Sequence, residues 1–440
     1  MTATQPPSGW NADQSTALSR PVPALQPEND PFYSYTGSTP LASIPAGTML
    51  QSRSISYHML GVPTSLKATQ LLYRSTSQAG NPTVNVTSVI QPLSQADKTK
   101  VISYQSAYDS LDRNDQPSYA ISGGLTLGGV VPNVELAVFG PFLADGYTVI
   151  VPDTEGQRAD FGAGPEYGMN TLDSVRAAFN SPTLGLPGDA KVALLGYSGG
   201  AIATEWAAEL APTYAPDANA RMIGAAMGGV LVDPVHNLHY IEGTNFWAGV
   251  MAMAIVGIGR AFEVDFTPYL SPMGVQLYHD MQTASIVTVL GQHWGLTWAD
   301  LASPDYPTPE SLPLFVAVAN KLIMGTGGTP TIPLFIGQGA NGELEWTPGD
   351  QPGIGEGDGV MIAGDVRTLA RNYCAQGTIV HYEQYDALSH ITSVPIWLLN
   401  SIAWIKQRFA DEPATQNCSS IPAGNPLEPI PTPPPADSPT

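Results

Sequence analysis

The chain has 440 residues, of which 43% are hydrophobic, and its formal net charge is −21 at pH 7. This length allows one large hydrophobic core with an insertion, or two domains. The acidic balance excludes nucleic acid as an expected partner and disfavours adhesion to anionic membranes, because both carry negative charge themselves. The longest apolar stretch, residues 246–259, is too short to cross a bilayer, so no transmembrane segment is predicted.

Strand-like and helix-like segments alternate along most of the chain. The β-rich segments 69–75 and 83–90 are typical of antiparallel strands that open a sheet. The predicted elements that follow are strands at 100–104, 147–151, 191–195, 222–232, 331–336 and 378–383, and helices at 134–144, 171–179, 360–375 and 394–409. Such alternation predicts an α/β protein with a mostly parallel central sheet that helices cover on both faces.

One long segment interrupts this alternation. Residues 236–329 show pieces of helical periodicity, several aromatic residues and methionines, and no β alternation. We therefore predict a helical cap at 236–329, inserted into a core made of residues 31–235 and 330–411. Residues 1–30 and 412–440 are rich in proline and small polar residues, which predicts flexible or surface-hugging tails.

The most informative motif is Gly-Tyr-Ser-Gly-Gly at residues 196–200. It follows an apolar strand candidate and precedes a strong helix former, and this strand, sharp turn and helix are the context of a nucleophile elbow. Small residues are needed there because Ser198 must adopt a strained turn. A serine nucleophile requires a histidine base and an orienting acid, in the chain order serine, acid, histidine. Such chemistry requires no cofactor and no metal.

His390 is the predicted base, because it follows the last predicted strand and precedes the closing helix. The acid lies in the long loop after Ile336, where most carboxylates are expected to be solvated. The carboxylates of that loop are Glu343, Glu345, Asp350, Glu356 and Asp358. Asp358 is favoured, since the apolar residues that follow it can hold a carboxylate against a buried imidazole. Asp350 remains the alternative.

An oxyanion hole requires donors that face the developing negative charge. The backbone N–H of Gly199 supplies one donor by its position after the nucleophile. The second donor is expected from the loop after the strand at 100–104. A backbone N–H there is the simplest candidate, and the side chain of Asp109 could donate only if an apolar site raised its pKa enough to keep it protonated.

Several short segments, spread over about residues 30–425, resemble the secretory lipases of the Candida antarctica lipase A type. They include Asp-Pro-Phe-Tyr at 30–33, Ser-Tyr-Gln at 103–105, the stretch 146–156 that ends in Asp-Thr-Glu-Gly, the elbow at 196–201, and Cys-Ala-Gln-Gly at 374–377. The resemblance implies an α/β-hydrolase fold with a mostly parallel central sheet and a helical cap insertion. Ser198, Asp358 and His390 fall on the family's catalytic triad, and Asp109 falls on a position associated with the oxyanion hole.

The two cysteines, Cys374 and Cys418, allow either one disulfide or two free thiols. A disulfide is favoured, because it would tie the proline-rich tail to the body, and the two residues fall on a disulfide of the resembling family. That family also implies a secreted protein, although no signal peptide is visible at the start of this chain.

The predicted function is hydrolysis of carboxylic esters, with a triacylglycerol or another lipid ester as substrate and with transient lipid contact through the cap. The cap residues that could line an acyl-binding tunnel are Phe246, Trp247, Met251, Met253, Ile255 and Val256, although ordinary cap packing would explain any one of them equally well. An acyltransferase or a short-chain esterase would use the same triad. A non-catalytic binding protein on this fold is less favoured, because it would not need the serine, histidine and aspartate.

Overall fold

The computed structural model describes residues 24–93, 96–349 and 351–431, and these residues form a nine-stranded sheet. The strands are β1 Met49–Met59, β2 Val62–Thr76, β3 Pro82–Ile90, β4 Lys100–Gln105, β5 Thr148–Pro152, β6 Lys191–Tyr197, β7 Met222–Gly228, β8 Leu334–Gly339 and β9 Val380–Tyr385. Their spatial order is β1-β2-β3-β5-β4-β6-β7-β8-β9. The first three strands are antiparallel, β3 is also antiparallel to β5, and the remaining pairs are parallel. The predicted mostly parallel sheet is therefore confirmed.

The sequence did not reveal β1. This strand lies at the edge of the sheet, and most of its side chains are exposed or half-buried. An edge strand whose two faces are both partly exposed to solvent needs no alternation of apolar and polar residues, so the usual two-residue periodicity is missing. The other predicted strands are present, but β2 begins at Val62, well before the predicted residue 69, and β7 ends at Gly228, before the predicted residue 232.

Helices cover both faces of the sheet. The helices are α1 Pro117–Ile121, α2 Val130–Val134, α3 Leu136–Ala144, α4 Gly164–Phe179, α5 Gly199–Tyr214, α6 Pro216–Asn219, α7 Pro234–Ile241, α8 Gly249–Ala261, α9 Pro272–Asp280, α10 Ile286–Val289, α11 Trp298–Leu301, α12 Pro313–Ala319, α13 Ala363–Ala375 and α14 His390–Phe409. The sequence of strand β6 is uniformly apolar because both of its faces are buried. Val192 and Leu194 pack in one buried cluster with α4 and α5, whereas Ala193 and Leu195 pack in another with α3 and α14.

The segment that we call the cap, residues 236–329, contains short helices arranged around α8. Its buried side chains, which include Met253, Val256, Trp298 and Phe315, form a hydrophobic cluster together with a few residues of the core, such as Phe161 and Val360. The predicted helical character of this segment is observed, and the whole length of α8 is apolar except for Arg260. Among the described helices, none combines the length and the apolar character that a bilayer crossing requires.

The described part of the C-terminal tail follows the surface of the core up to the cap. Cys418 is joined to Cys374 in α13 by a disulfide, as predicted. Farther along, the side chain of Asn425 donates to Asp365 Oδ1 at 2.7 Å. The backbone N–H of Ile430 donates to Asn320 Oδ1, just after α12, at 2.8 Å. For residues 1–23 and 432–440, the predicted flexible tails lie outside the described residues.

Candidate active site

Ser198 lies at the sharp turn between β6 and α5, with φ 56° and ψ −122°. This backbone conformation is rare for a residue with a side chain, and neighbouring glycines make it feasible. A Cβ on Gly196 would collide with the backbone of Gly200, and a Cβ on Gly200 would collide with the carbonyl of Gln105. The Ser198 N–H donates to the Gly228 carbonyl at 2.9 Å, which fixes the turn against β7. The strand–turn–helix context predicted for this serine is present.

The structure brings Ser198, His390 and Asp358 together from three different connections at the carboxyl edge of the sheet. Nε2 of His390 lies 2.8 Å from Oγ of Ser198. Nδ1 of the same ring lies 2.8 Å from Oδ2 of Asp358. These are ordinary hydrogen-bond distances, so the three side chains form one continuous chain of hydrogen bonds.

His390 is the first residue of α14 instead of standing ahead of it. The predicted start at Val394 was wrong, because Pro395 lies inside this helix, whereas proline is usually found in the first turn. Ser389 caps the helix, with its side chain accepting a hydrogen bond from the Thr392 N–H. This cap fixes the direction in which α14 leaves the loop, and with it the position of the imidazole.

Asp358 is completely buried, and among the described residues no lysine or arginine forms an ion pair with it, so backbone and amide donors satisfy its oxygens beside the His390 ring. Its Oδ1 accepts from the N–H groups of Val360 and Met361, at 3.1 and 2.7 Å. Its Oδ2 accepts from the Gln338 amide at 2.8 Å in addition to its contact with His390. The apolar residues after Asp358 thus lead into α13, as the sequence predicted. The alternative acid, Asp350, lies outside the described residues.

The surroundings of His390 favour its protonated form. Burial alone would lower the pKa of the imidazole, but the charge of Asp358 and its hydrogen bond outweigh burial, and Glu345 and Asp109 act in the same direction. The net result is a pKa above the ordinary value for histidine. Two aromatic rings enclose the imidazole, because the centroids of Tyr197 and Trp247 lie 5.2 and 5.4 Å from its own.

Asp109 lies next to Gly199, the residue that follows the nucleophile. Its carboxyl is so close to Gly199 that no Cβ would fit there, and its own backbone has φ 33°. Burial raises the pKa of Asp109 to about 7, against an opposing influence of the charge on His390 and with a further contribution from Glu135. A carboxyl with this pKa is partly protonated near neutral pH, so it can act as a hydrogen-bond donor there.

An apolar cavity of about 90 Å³ lies between α5 and the cap helix α8. Of the six predicted tunnel residues, only Met251 and Ile255 line it. Met253 and Val256 are buried but do not line the cavity, Trp247 packs on His390, and Phe246 packs on Trp247. The sequence could not distinguish these faces, because α8 is apolar on all sides. The lining residues that the sequence did not indicate include Ile202, Trp206, Leu238, Ile241, Phe315 and Val360.

Sequence reasoning also missed two polar side chains of the site. Gln338, at the end of β8, gave no signal, because an amide in a strand has no distinctive pattern. Glu345 was expected among the solvated carboxylates of its loop, yet only 5% of its surface is exposed. Within the described ranges, no group of three or more His, Cys, Asp or Glu side chains is arranged to hold a metal ion.

A mostly parallel sheet with a serine on a strained strand-to-helix turn, next to a buried histidine, defines a member of the α/β-hydrolase class. Residues 123–345 match the model of the secretory lipase family. The chain belongs to that family, which confirms the resemblance noted in the sequence. Family membership supports ester hydrolysis and an ester or lipid substrate, and the family's description suggests secretion.

The relatives agree over nearly the whole length. A Mycobacterium tuberculosis protein named a probable inactive lipase is 30% identical over 410 residues, which are 91% of this chain and 86% of the relative. Lipase 4 of Candida albicans is 30% identical over 415 residues, 90% of this chain and 84% of the relative. The crystal structure of Candida antarctica lipase A in its closed state is similar with a TM-score of 0.78 and 27% identity, covering 92% of this chain and 91% of that one.

Proposed function

We propose that the chain is a carboxylic ester hydrolase that acts on lipid esters such as triacylglycerols, through an acyl-enzyme on Ser198. The observation that carries this proposal is the unbroken hydrogen-bond chain from Ser198 Oγ through the His390 ring to Asp358, with both contacts at 2.8 Å. A weakly nucleophilic hydroxyl needs such a base, and the base needs an acid that orients it.

In the first half of the reaction, Ser198 Oγ attacks the ester carbonyl while its proton passes to Nε2 of His390. Asp358 accepts from Nδ1–H and stabilises the imidazolium that forms. The tetrahedral intermediate then expels the alcohol, which takes the proton from Nε2, and the acyl group stays on Oγ. Water deacylates the enzyme by the same steps, with His390 again as base.

The negative charge of the tetrahedral intermediate needs donors on the side of Ser198 that faces Gly199. The Gly199 N–H is one donor by its position in the elbow. We propose that protonated Asp109 is the second, since its carboxyl lies against Gly199 and burial keeps its pKa at about 7. A donor of this kind typically contributes about 3 kcal/mol to catalysis.

The apolar cavity supports long acyl chains as the preferred substrates. Ile202, which lines it, lies one turn along α5 from Ser198, so an acyl chain bound to Oγ could extend into it. Each methylene group that leaves water there gains about 0.8 kcal/mol. An acyltransferase or a short-chain esterase would share the triad and differ in the acceptor or in the acyl length.

A non-catalytic role is the competing hypothesis, because one relative is named a probable inactive lipase. Retention of all three side chains, at hydrogen-bond distances and with Ser198 in the strained elbow, favours catalysis in this chain. Strain of this kind costs about 1–3 kcal/mol and is usually kept where a function needs it.

We further propose secretion and transient contact with lipid at the face that carries the cap. Exposed apolar side chains of the cap include Trp294, which is 73% exposed, and Met273, which is 55% exposed. Leu125 and Leu127 are exposed on a neighbouring loop, where Gly128 approaches Ser285 of the cap. Exposed apolar side chains on a chain of net charge −21 fit contact with an uncharged lipid surface.

The deciding experiment is Ser198→Ala. We expect the wild-type chain to react with a fluorophosphonate probe and to hydrolyse p-nitrophenyl esters. The variant should lose labelling, and its kcat should fall by up to about 10⁶-fold, because the remaining triad residues do not act without the nucleophile. An unreactive wild-type chain, or labelling that persists at another serine, would contradict the proposal.

A further inference from the structure

Glu345 stands out among the acidic residues of the loop between β8 and Asp358. Its neighbours Leu344 and Trp346 are 52% and 65% exposed, whereas Glu345 is 5% exposed. The left-handed conformation of Trp346, with φ 59°, ends the short 3₁₀ turn Gly342–Glu345. A carboxylate is costly to bury unless donors compensate its charge, so its partners indicate what it does.

Both oxygens of Glu345 are engaged next to the imidazole. Oε1 accepts from the backbone N–H of Ile391 at 2.7 Å, and Oε2 accepts from Nε1 of Trp247 at 2.9 Å. Ile391 follows His390, and its N–H is one of the groups in the first turn of α14 that lack a partner within the helix. Trp247 belongs to the cap, and its ring stands edge-on to the imidazole at an angle of 85°.

We infer that Glu345 is a positioning residue for His390, which rests on the proposed function of the triad. It does not contact the reacting atoms. It links the backbone at the start of α14 to Trp247, the cap residue that packs against the imidazole. Both the backbone and the ring of His390 are thereby held in place. Its negative charge also lies beside the imidazolium that forms when Ser198 loses its proton.

The charged groups that face His390 are Asp358, Asp109 and Glu345, and Tyr197 adds an uncharged ring and donates to the His390 carbonyl. All three carboxyls favour the imidazolium. Asp358 is bonded to the ring, and Asp109 is partly protonated near pH 7. Removal of the charge of Glu345 should therefore make His390 easier to deprotonate.

Geometry and charge can be separated by substitution. In Glu345→Gln only one oxygen remains for two donors, so either Ile391 N–H or Trp247 Nε1–H must face an amide N–H₂ group. In the double variant Glu345→Gln with Trp247→Phe, the indole donor is gone and the amide oxygen is free for Ile391. The double variant therefore restores the hydrogen bonding at the start of α14 but not the charge.

The experiment measures pH profiles of kcat/KM on p-nitrophenyl butyrate for the wild type, Glu345→Gln, Trp247→Phe and the double variant. Glu343→Gln is the matched control, since it removes the same charge from an exposed position of the same turn. For Glu345→Gln we expect kcat to fall by about 10- to 100-fold, as for a slightly displaced base. We also expect the acidic limb of the profile to move to lower pH.

The double variant should regain part of kcat relative to Glu345→Gln and keep the displaced acidic limb, whereas Glu343→Gln should match the wild type. If Glu345→Gln does not fold, the inference is tested on the double variant instead, by NMR titration of the His390 ring protons in comparison with the wild type. An unmoved acidic limb, or an equal shift in Glu343→Gln, would overturn the inference. Wild-type labelling that depends on Ser198 tests the proposed function separately, whatever Glu345 does.

Discussion

Asp109 combines a left-handed backbone, at φ 33°, with a carboxyl buried against Gly199. Only the protonated form can donate to an oxyanion, and the pKa of about 7, which burial causes, means that this form is lost as the pH rises above neutrality. Ionisation of Asp109 therefore removes a hydrogen-bond donor and at the same time places a negative charge beside the oxyanion. Both effects should lower the rate on the basic side of the pH profile.

We predict that kcat of the wild type declines above about pH 7 and that Asp109→Asn flattens this decline. The asparagine amide keeps a donor that does not ionise, so the variant should equal or exceed the wild type at pH 8–9 even if it is slower at pH 6. The profile should be measured on one short ester at saturating concentration. If kcat of the variant declined with the same midpoint as the wild type, Asp109 would be excluded as the cause of the decline.

The sequence was sufficient to propose Ser198 and His390, because the elbow motif and the chain order of the triad constrain them strongly. For the acid it only favoured Asp358 and left Asp350 open. It was not sufficient for Glu345. Five carboxylates of one polar loop have similar local sequence, and the burial of Glu345 depends on Trp247, which is remote in the chain and reaches it only after the cap has folded. Tertiary contacts of this kind leave no periodic signal.

At the scale of elements, some side chains of α8 line the cavity and others only pack in the hydrophobic core, and the sequence of α8 does not distinguish the two. Ile255 lines the cavity beside α5, whereas Met253, which is buried in the same hydrophobic cluster, does not. Because α8 is apolar on all sides, hydrophobic periodicity predicts burial at both positions and assigns neither to a substrate. By contrast, short apolar runs between helix-like segments predicted the parallel strands of the core.

We predict that Ile255→Ala shifts the preference of the enzyme toward longer or bulkier acyl groups, because it enlarges the cavity. Met253→Ala is the matched control, since it also shortens a buried side chain of α8 and should cost about 2–5 kcal/mol of stability. Relative kcat/KM should be measured over p-nitrophenyl esters from C2 to C16. If both variants changed the chain-length preference equally, the effect would be general loosening of the cap.

At the scale of the whole molecule, many carboxyls of the described residues are deeply buried, and burial raises their pKa even where an arginine lies nearby, as Arg176 does 3.2 Å from Asp173. Burial raises the pKa of Asp173 to about 6 and that of Asp153 to about 7. Burial, with repulsion from Asp160, raises the pKa of Glu166 to about 8. His239 has a pKa of about 9, raised first by its hydrogen bond to Glu242. Each of these groups holds its proton in the folded chain at a pH where the unfolded chain has lost it.

A raised pKa in the folded state stabilises the fold below the pKa of the unfolded chain, and this contribution disappears as the pH rises through the folded value. We therefore predict that Tm falls steadily between about pH 5 and pH 8. Carboxylates with lowered pKa values, such as Asp217, act mainly below this window. Thermal melts at constant ionic strength test the prediction, and a Tm that rises over this range would contradict it.

Glu166→Gln offers a matched check on this prediction. Its amide oxygen can still accept from the Gln78 N–H, and it has no proton to lose. The slope of Tm against pH should therefore become shallower, with the variant gaining most near pH 8. An unchanged slope would assign the pH dependence to other groups.

The disulfide between Cys374 and Cys418 also decides how the chain would respond to mechanical load. Tension applied beyond residue 418 reaches α13 through the sulfur bridge and bypasses β9 and α14, which lie inside the covalent loop. The helix that carries His390 is thereby shielded from a pull on the C-terminal end. Anchoring the oxidised chain to a surface by that end should thus leave the reacting side chains undisturbed, whereas in the reduced chain the same pull would load α14 directly.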